Sequence, residues 1–203
     1  ALGFPLTEPR NYFFANLLYM TVNFAVMLLI FRRTLWQSLR EFEGKMLLSV
    51  LIGFGMCYGA NLVLTTAYTV LDIMPENYNQ EAVNSLLGGY PLAMTLCTVV
   101  LAPLAEECLF RGVLFAPLAR KCLPAAYALS MFLFAGMHVF QFLGSMTAAN
   151  TILCLSLYLP ASFSLCWVYQ KTGNIWACIF LHMFINFQSV LASLLRSLMQ
   201  AFL

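Results

Sequence analysis

The stretch LAPLAEECLFRGVLF, residues 101–115, places Glu106, Glu107 and Arg111 within two helical turns of an otherwise apolar run. A charged side chain at the centre of a bilayer costs about 2.5–3.5 kcal/mol on insertion scales. Two carboxylates and a guanidinium at this spacing therefore need mutual pairing, a chemical role, or both. The rest of the sequence shows whether this run lies in hydrocarbon.

The composition indicates that the chain lies in a membrane. Of its 203 residues, 62% are hydrophobic and 9% are charged, and the mean hydropathy is +0.84. Soluble domains have about 25% charged residues, so the sequence predicts an all-α, polytopic membrane helical bundle. The net charge of +2 comes from scattered basic residues, which argues against nucleic acid as a partner. The seven cysteines have no CxxC spacing and are interpreted as small core residues.

Six apolar runs are each long enough to cross a bilayer about 30 Å thick. They lie near residues 11–31, 46–72, 91–118, 122–143, 147–170 and 174–200. Because these runs fill the chain, the sequence predicts a single transmembrane domain over residues 1–203, with about six transmembrane helices. Segment 32–45 alternates apolar and charged residues, and it either lies along the membrane interface or forms a solvated connector.

Basic residues mark one side of the predicted bundle. The connector over residues 72–90 contains none, whereas the connectors after the first, third and fifth spans contain most of them. The positive-inside rule therefore predicts that these three connectors are cytoplasmic. Their basic residues are Arg32, Arg33, Arg40, Lys45, Arg120, Lys121 and Lys171.

Three polar residues reach similar depths in this arrangement. At about 1.5 Å per residue, Glu106, His138 and His182 lie roughly 20, 25 and 16 Å from the basic ends of their spans. Both histidines of the chain therefore arrive near mid-membrane, where the two glutamates lie. Close to His138, Gly136 is expected to let a neighbouring helix approach.

Spacing decides which of these side chains share a helix face. Glu107 and Arg111 are four residues apart, as are His182 and Asn186, so each pair projects from one face. Glu106 points about 100° away from Glu107. This difference predicts that one carboxylate pairs with Arg111 while the other serves chemistry.

Each of these features also has a purely structural explanation. Glu107 and Arg111 can form a structural ion pair, and His138 can be a hydrogen-bonded packing residue. His182 and Asn186 can clamp two membrane helices together. The coincidence of two glutamates, two histidines and an asparagine at matching depth on three spans favours a functional site. A carboxylate beside an imidazole is a common arrangement for activating water.

Three motifs on successive helices carry a family resemblance: EECLFR (106–111), FAGMH (134–138) and HMFIN (182–186). Their order and spacing resemble the CPBP, or ABI, family, which comprises CAAX prenyl endopeptidases and bacteriocin-processing or immunity enzymes. The pattern of that family is EExxxR, then FxxxH, then Hxxx followed by Asn or Asp. The resemblance covers about residues 90–190, which would form the catalytic core.

The resemblance implies a role for each position of these motifs. Glu106 would be the general base that, with His138, holds and activates the attacking water. His182 and Asn186 would stabilise the oxyanion of the tetrahedral intermediate. Glu107 and Arg111 would be supporting residues that fix the helix and tune the base.

No cofactor is required in the mechanism that the resemblance implies. HExxH does not occur in the sequence, so the arrangement of soluble zinc proteases is absent. Zinc or another divalent metal stays an alternative, because a catalytic zinc site uses three protein ligands. Glu106, His138 and His182 could supply them.

The function expected on this basis is an intramembrane endopeptidase of the bacterial cell membrane. Its partners would be membrane lipid and a membrane-associated or hydrophobic peptide or protein substrate. Because hydrolysis consumes water, a water-filled cavity reached from the cytoplasmic side is expected. Two other classes stay open: a proton-coupled transporter, in which Glu and His would relay protons, and a non-catalytic scaffold or immunity protein.

Overall fold

The computed structural model of the chain describes residues 9–202, and all regular structure within them is helical. Seven helices follow one another along the chain, and a 3₁₀ segment, Phe140–Ser145, connects the fifth to the sixth. The helices are α1 (Pro9–Arg40), α2 (Met46–Val70), α3 (Tyr78–Gly89), α4 (Pro91–Ala119), α5 (Leu123–Val139), α6 (Ala148–Thr172) and α7 (Ile175–Ala201).

Six of the helices, all except α3, are long and apolar enough to cross a membrane. This result confirms the predicted all-α membrane bundle, and each predicted span coincides with one helix. The chain is an integral membrane protein. The twelve-residue α3 lies in the connector over residues 72–90, and the Asn77 side chain caps it by accepting from the Gln80 N–H at 3.1 Å.

The segment after the first span differs from its prediction. Residues 32–40 do not form a separate interfacial segment; they continue α1 without interruption. No glycine or proline interrupts this stretch, and the burial of Leu35 and Ser38 holds it against the bundle. The chain turns only at residues 41–45, which include Gly44.

The third span, α4, changes its hydrogen-bonding pattern twice. Two π-helical segments, Cys97–Leu101 and Cys108–Phe115, interrupt the α-helical turns. Each segment ends two residues before a proline, Pro103 or Pro117. A proline has no N–H and its ring crowds the carbonyl four residues earlier, so a wider turn just before it relieves that conflict. The stretch that contains both glutamates therefore lies between two local changes of helical register.

The centre of the bundle is packed around α6. Leu165 and Val168 of α6 and Leu181 of α7 have no exposed surface and belong to one core cluster. Gly53 lets α2 approach this cluster, because a Cβ there would lie 2.7 Å from Val168 Cγ2 and 2.9 Å from Leu181 Cδ2. Close approach through a small residue is typical of membrane helix packing.

Gly136 does not have the role that its sequence context predicted. A Cβ at this position would lie 2.5 Å from Phe140 Cε2, an atom of the next turn of the same chain segment. The glycine therefore makes room for the Phe140 ring and not for a neighbouring helix. The change of helix type at Phe140, where α5 passes into the 3₁₀ segment, brings that ring back over Gly136.

Asn174 joins the turn between α6 and α7 to the end of α1. Its Oδ1 accepts from the backbone N–H groups of Trp176 and Ala177, at 2.9 and 3.3 Å, and so caps α7. Ser38 donates its hydroxyl to the same Oδ1 at 2.9 Å. The Asn174 amide donates in return to the Ser38 carbonyl at 2.7 Å.

We expect Asn174→Ala to destabilise the fold more than an ordinary cap substitution, which costs about 0.5–2 kcal/mol. The variant also leaves the buried Ser38 hydroxyl and carbonyl without these partners. Thermal unfolding in detergent would show the loss as a lower midpoint. Asn23→Ala is the matched control, because the Asn23 amide donates to the Tyr19 carbonyl of its own helix. Equal midpoints for the two variants would contradict the prediction.

Candidate active site

A buried ion pair on α4 forms the base of the polar centre. Arg111 Nη1 donates to Glu107 Oε1 at 3.2 Å, and Arg111 Nε lies 3.1 Å from Glu107 Oε2. Neither side chain has any exposed surface. Arg111 Nη2 also donates to the Ser162 carbonyl of α6 at 3.1 Å. The pair expected from the four-residue spacing is therefore present, and it ties α4 to α6.

His182, on α7, lies between the two glutamates. Its Nδ1 is 2.8 Å from Glu107 Oε1, and its Nε2 is 3.9 Å from Glu106 Oε2. The two carboxylates, which leave α4 in different directions, thus reach opposite edges of one imidazole. Their divergence gives them different environments: Glu107 is fully enclosed, whereas 19% of the Glu106 side chain is exposed.

The contact with Glu107 determines the orientation of His182. In its pair with Arg111 the Glu107 carboxylate accepts hydrogen bonds, so Nδ1 of His182 is assigned the proton that it donates to Glu107 Oε1. The other ring nitrogen, Nε2, then points at Glu106. The side chains of Arg111, Glu107, His182 and Glu106 thus contact one another in series. The series ends at the partly exposed carboxylate of Glu106.

Asn186 binds a backbone group of α4. Its Nδ2 donates to the Thr98 carbonyl at 2.8 Å. In the π pattern here, the N–H of Ala102 bonds the carbonyl five residues earlier, that of Cys97. Thr98 should pair in the same way with residue 103, but Pro103 has no N–H. Asn186 therefore supplies the donor that the proline lacks.

His138 lies on α5, one aromatic ring away from His182. The Phe134 ring centroid is 4.9 Å from that of His138 and 5.6 Å from that of His182. His138 Nδ1 bonds the Phe134 carbonyl at 2.9 Å. Within the described chain His138 forms no ion pair with a glutamate, so the structure pairs Glu106 with His182 and not with His138.

Three residues of this centre were not found from the sequence. Tyr158 stacks on His138 with ring centroids 4.5 Å apart, Ser162 accepts from Arg111 through its carbonyl, and Thr98 accepts from Asn186. Two of the three contribute backbone oxygens, which leave no side-chain signal. Tyr158 lies in a span with three tyrosine or tryptophan residues, and only the packing of α5 on α6 distinguishes it.

The suggested metal ligands do not form a ligand set in this structure. Across residues 9–202, no three histidine, cysteine, aspartate or glutamate side chains are grouped so that they could hold a metal ion. Glu106 and His182 are close to each other, but His138 is turned towards Tyr158 and the Phe134 carbonyl. No catalytic step is therefore assigned to a metal.

The interior of α6 and α7 near the basic connectors is apolar and tightly packed. A cavity of about 410 Å³ opens at that end beside α1, and no residue of the polar centre lines it. Its lining includes the polar side chains of Thr34, Gln37, Ser38, Glu41 and Arg120. A water-filled cavity that reaches the polar centre from the cytoplasmic side therefore stays a prediction. The fully buried side chains of α6 and α7 at this end of the bundle are Leu165, Cys166, Val168, Ala177, Cys178 and Leu181.

Six helices that can cross a membrane, around a buried centre of carboxylates and an imidazole, define the class of the molecule as a polytopic membrane protein with an intramembrane polar site. Residues 88–188 match the family model described as "Type II CAAX prenyl endopeptidase Rce1-like". The chain is 28% identical over 193 residues to "Putative membrane peptidase YdiL" of Bacillus subtilis (strain 168), which covers 91% of this chain and 74% of the relative. No solved structure matches the chain significantly.

The chain belongs to the CPBP family of intramembrane endopeptidases, and it is a membrane peptidase. Both comparisons favour the enzyme over the proton-coupled transporter and the non-catalytic scaffold that the sequence had left open. The matched region contains all three motifs, EECLFR, FAGMH and HMFIN.

We expect Arg111→Met to destabilise the protein by about 3–5 kcal/mol, because it leaves the Glu107 carboxylate buried and unpaired. The unfolding midpoint in detergent measures the loss. The double variant Glu107→Met/Arg111→Met removes both charges and should recover most of the stability. Arg120→Met, which removes an exposed cation, is the control. A double variant as unstable as Arg111→Met would contradict this account.

Tyr158 is expected to position His138. Tyr158→Ala removes the stacked ring and should lower kcat about 10- to 100-fold with little change in KM, since a small misplacement of a reacting group has effects of this size. Tyr158→Phe keeps the ring and should retain most of the activity. Tyr68→Phe is the matched control for Tyr158→Phe, because the Tyr68 hydroxyl bonds the side chain of Ser156 on α6, the helix that contains Tyr158. Equal kcat values for Tyr158→Ala and Tyr158→Phe would argue against positioning by the ring.

Proposed function

We propose that this peptidase hydrolyses a peptide bond of a membrane-associated or hydrophobic peptide, with water activated by Glu106. The observation that supports the proposal is the contact of Glu106 with a histidine that the buried Glu107–Arg111 pair holds in place. A carboxylate with one side open and an oriented imidazole beside it are the two groups that a general-base hydrolysis needs.

Glu106 is suited to binding the attacking water. Its Oε2 is buried and has no hydrogen-bond partner among residues 9–202. The 3.9 Å to His182 Nε2 is too long for a direct hydrogen bond, but a water about 2.8 Å from each atom fits between them. His138 would be a further ligand of the reacting water, because the Phe134 carbonyl fixes the Nδ1 proton and leaves Nε2 to accept.

Charge balance supports the role of His182 as an oxyanion donor. Glu106 and Glu107 contribute two negative charges, and Arg111 contributes one positive charge. One added proton, on His182 Nε2, makes the cluster neutral, which a membrane interior favours. With that proton on Nε2, His182 donates to the developing oxyanion, and the second N–H of the Asn186 amide donates beside it.

The reaction then proceeds with a balanced transfer of protons. Glu106 takes a proton from the water as its oxygen bonds to the carbonyl carbon, and the carbonyl oxygen becomes the oxyanion. When the intermediate collapses, the C–N bond breaks and Glu106 returns the proton to the leaving amine. Glu107 and Arg111 stay ionised throughout and keep His182 in position.

The comparisons suggest the kind of substrate. The matched family model is described as a prenyl endopeptidase, and the bacterial relative is described as a membrane peptidase. We therefore propose a bacterial cell membrane location and a substrate held at the membrane by apolar residues or by a lipid. Leader peptides, signalling peptides and bacteriocin-like precursors have this character. Paired assays on one peptide with and without a prenyl group separate the two modes of attachment.

Glu106→Gln should lower the cleavage rate about 10²- to 10⁴-fold, because the amide has the shape of the acid but cannot accept a proton. Cleavage of a fluorogenic hydrophobic peptide by purified protein measures this effect, and His182→Ala should reduce the rate similarly. Glu41→Gln is the control on an exposed carboxylate. Cleavage unchanged in Glu106→Gln would refute the proposed base, and a chelator added to both proteins tests metal dependence separately.

A further inference from the structure

We propose that the cavity of about 410 Å³ beside α1 binds the headgroup of one phospholipid, and that this headgroup carries a phosphate and a primary ammonium, as in phosphatidylethanolamine. The inference goes beyond the proposed function, because no residue of the polar centre lines the cavity. The lining comes from three places: Thr34 and Glu41 at the end of α1, Arg120 at the end of α4, and Tyr169 and Gly173 at the turn between α6 and α7.

The cavity lies at the level of the membrane where phospholipid headgroups are found. All three tryptophans of the chain, Trp36, Trp167 and Trp176, are sequence neighbours of its lining residues. Tryptophan is enriched where the hydrocarbon meets the headgroups. Two basic side chains stack on these rings: Arg40 Cζ lies 5.1 Å from the Trp36 centroid, and Lys171 Nζ lies 5.9 Å from the Trp167 centroid. The tryptophans therefore place the cavity at one membrane interface.

Two opposite charges on the lining have no ionic partner. Within residues 9–202, the guanidinium of Arg120 forms neither an ion pair nor a hydrogen bond, and Glu41 forms no ion pair. Glu41 Oε1 accepts from Gln37 Nε2 of α1 at 2.9 Å. The two charged side chains thus line one cavity without pairing with each other. A ligand with one anionic and one cationic group would satisfy both of them.

Phosphatidylethanolamine has these two groups in one headgroup. Its phosphate can bind a guanidinium through two parallel N–H groups. Its primary ammonium has three N–H donors, as a lysine side chain does, and the Glu41 carboxylate is an acceptor for them. The hydroxyl groups of Thr34 and Tyr169 have no hydrogen-bond partner in the described part of the chain, so they can donate to the phosphate. The lining therefore has partners for both groups of the ligand.

The shape of the cavity fits a lipid and separates the cavity from the polar centre. Phe31 and Gly112 are the lining residues farthest from the connectors, and a Cβ at Gly112 would lie 2.6 Å from Phe31 Cε1. This close contact between α1 and α4 closes the cavity towards the membrane centre. Beside it on α4, Leu109 and Val113 are exposed. They provide apolar surface for the acyl chains of a lipid whose headgroup occupies the cavity.

Other phospholipids fit these charges less well. The headgroup of phosphatidylglycerol would satisfy Arg120, but it would bring a negative charge next to Glu41 with no cation to compensate it. Phosphatidylcholine has a quaternary ammonium, which has no N–H to donate. The volume of about 410 Å³ lies within the range of small-molecule sites, about 300–1,000 Å³. The cavity therefore predicts a preference that depends on the headgroup and not on the acyl chains.

Native mass spectrometry of the full chain in detergent, titrated with one phospholipid at a time, tests this site. The three lipids have dioleoyl chains and carry ethanolamine, glycerol or choline headgroups. Arg120→Met removes the guanidinium, and Arg120→Lys keeps the charge but not the paired N–H groups. Arg33→Met is the matched control, because Arg33 is an exposed arginine of α1 at the same end of the bundle and does not line the cavity.

We expect one phosphatidylethanolamine to bind the wild type about 10-fold more tightly than either other lipid. Arg120→Met should weaken its binding about 10-fold, Arg120→Lys should weaken it less, and Arg33→Met should leave it unchanged. Equal binding of the three lipids, or equal losses in Arg33→Met and Arg120→Met, would overturn the site. Tighter binding of phosphatidylglycerol would overturn the role given to the ammonium.

The same titration with Glu106→Gln separates this site from catalysis. The variant should bind phosphatidylethanolamine as the wild type does, because Glu106 does not line the cavity. A hydrophobic peptide that Glu106→Gln does not cleave is then added to the lipid-bound protein. Retention of the lipid is the expected result. Displacement of the lipid by the peptide would assign the cavity to the substrate and overturn the proposal.

Discussion

The buried pair between Arg111 and Glu107 is the interaction on which the polar centre depends. A lone carboxylate or guanidinium at this depth would be strongly unfavourable, but the two groups compensate each other. Glu107 Oε1, which accepts from Arg111 Nη1, also binds His182 Nδ1. The same guanidinium binds the Ser162 carbonyl, so the pair also sets the distance between α4 and α6. Charge neutralisation, helix packing and the orientation of the imidazole are thus consequences of one contact.

The Glu107–Arg111 pair lies in a part of α4 whose backbone hydrogen bonding is irregular. Prolines at 103 and 117 each follow a π segment, and the glutamates lie on the regular turns between the two segments. A membrane offers no water to satisfy carbonyls freed by a proline, so neighbouring side chains have to do so. Irregular backbone in the span is tolerated because other helices cover it.

Sequence reasoning was sufficient for features that depend on composition and local spacing. The six spans, the Glu107–Arg111 pair and the proximity of His182 to Glu106 follow from hydropathy and helical periodicity. Its predictions were wrong where packing decides the structure. Helix α1 continues through residues 32–40 because Asn174 holds Ser38. Gly136 accommodates the ring of Phe140. The stacking of Tyr158 on His138 joins two helices and has no local signature.

The bond from Asn186 to the Thr98 carbonyl restricts which residue this chain can use at position 186. Its family pattern permits aspartate there, but an ionised carboxylate opposite a carbonyl oxygen places two acceptors against each other. In this chain, the proline five residues after Thr98 makes a donor necessary, so the amide and the proline form a linked pair.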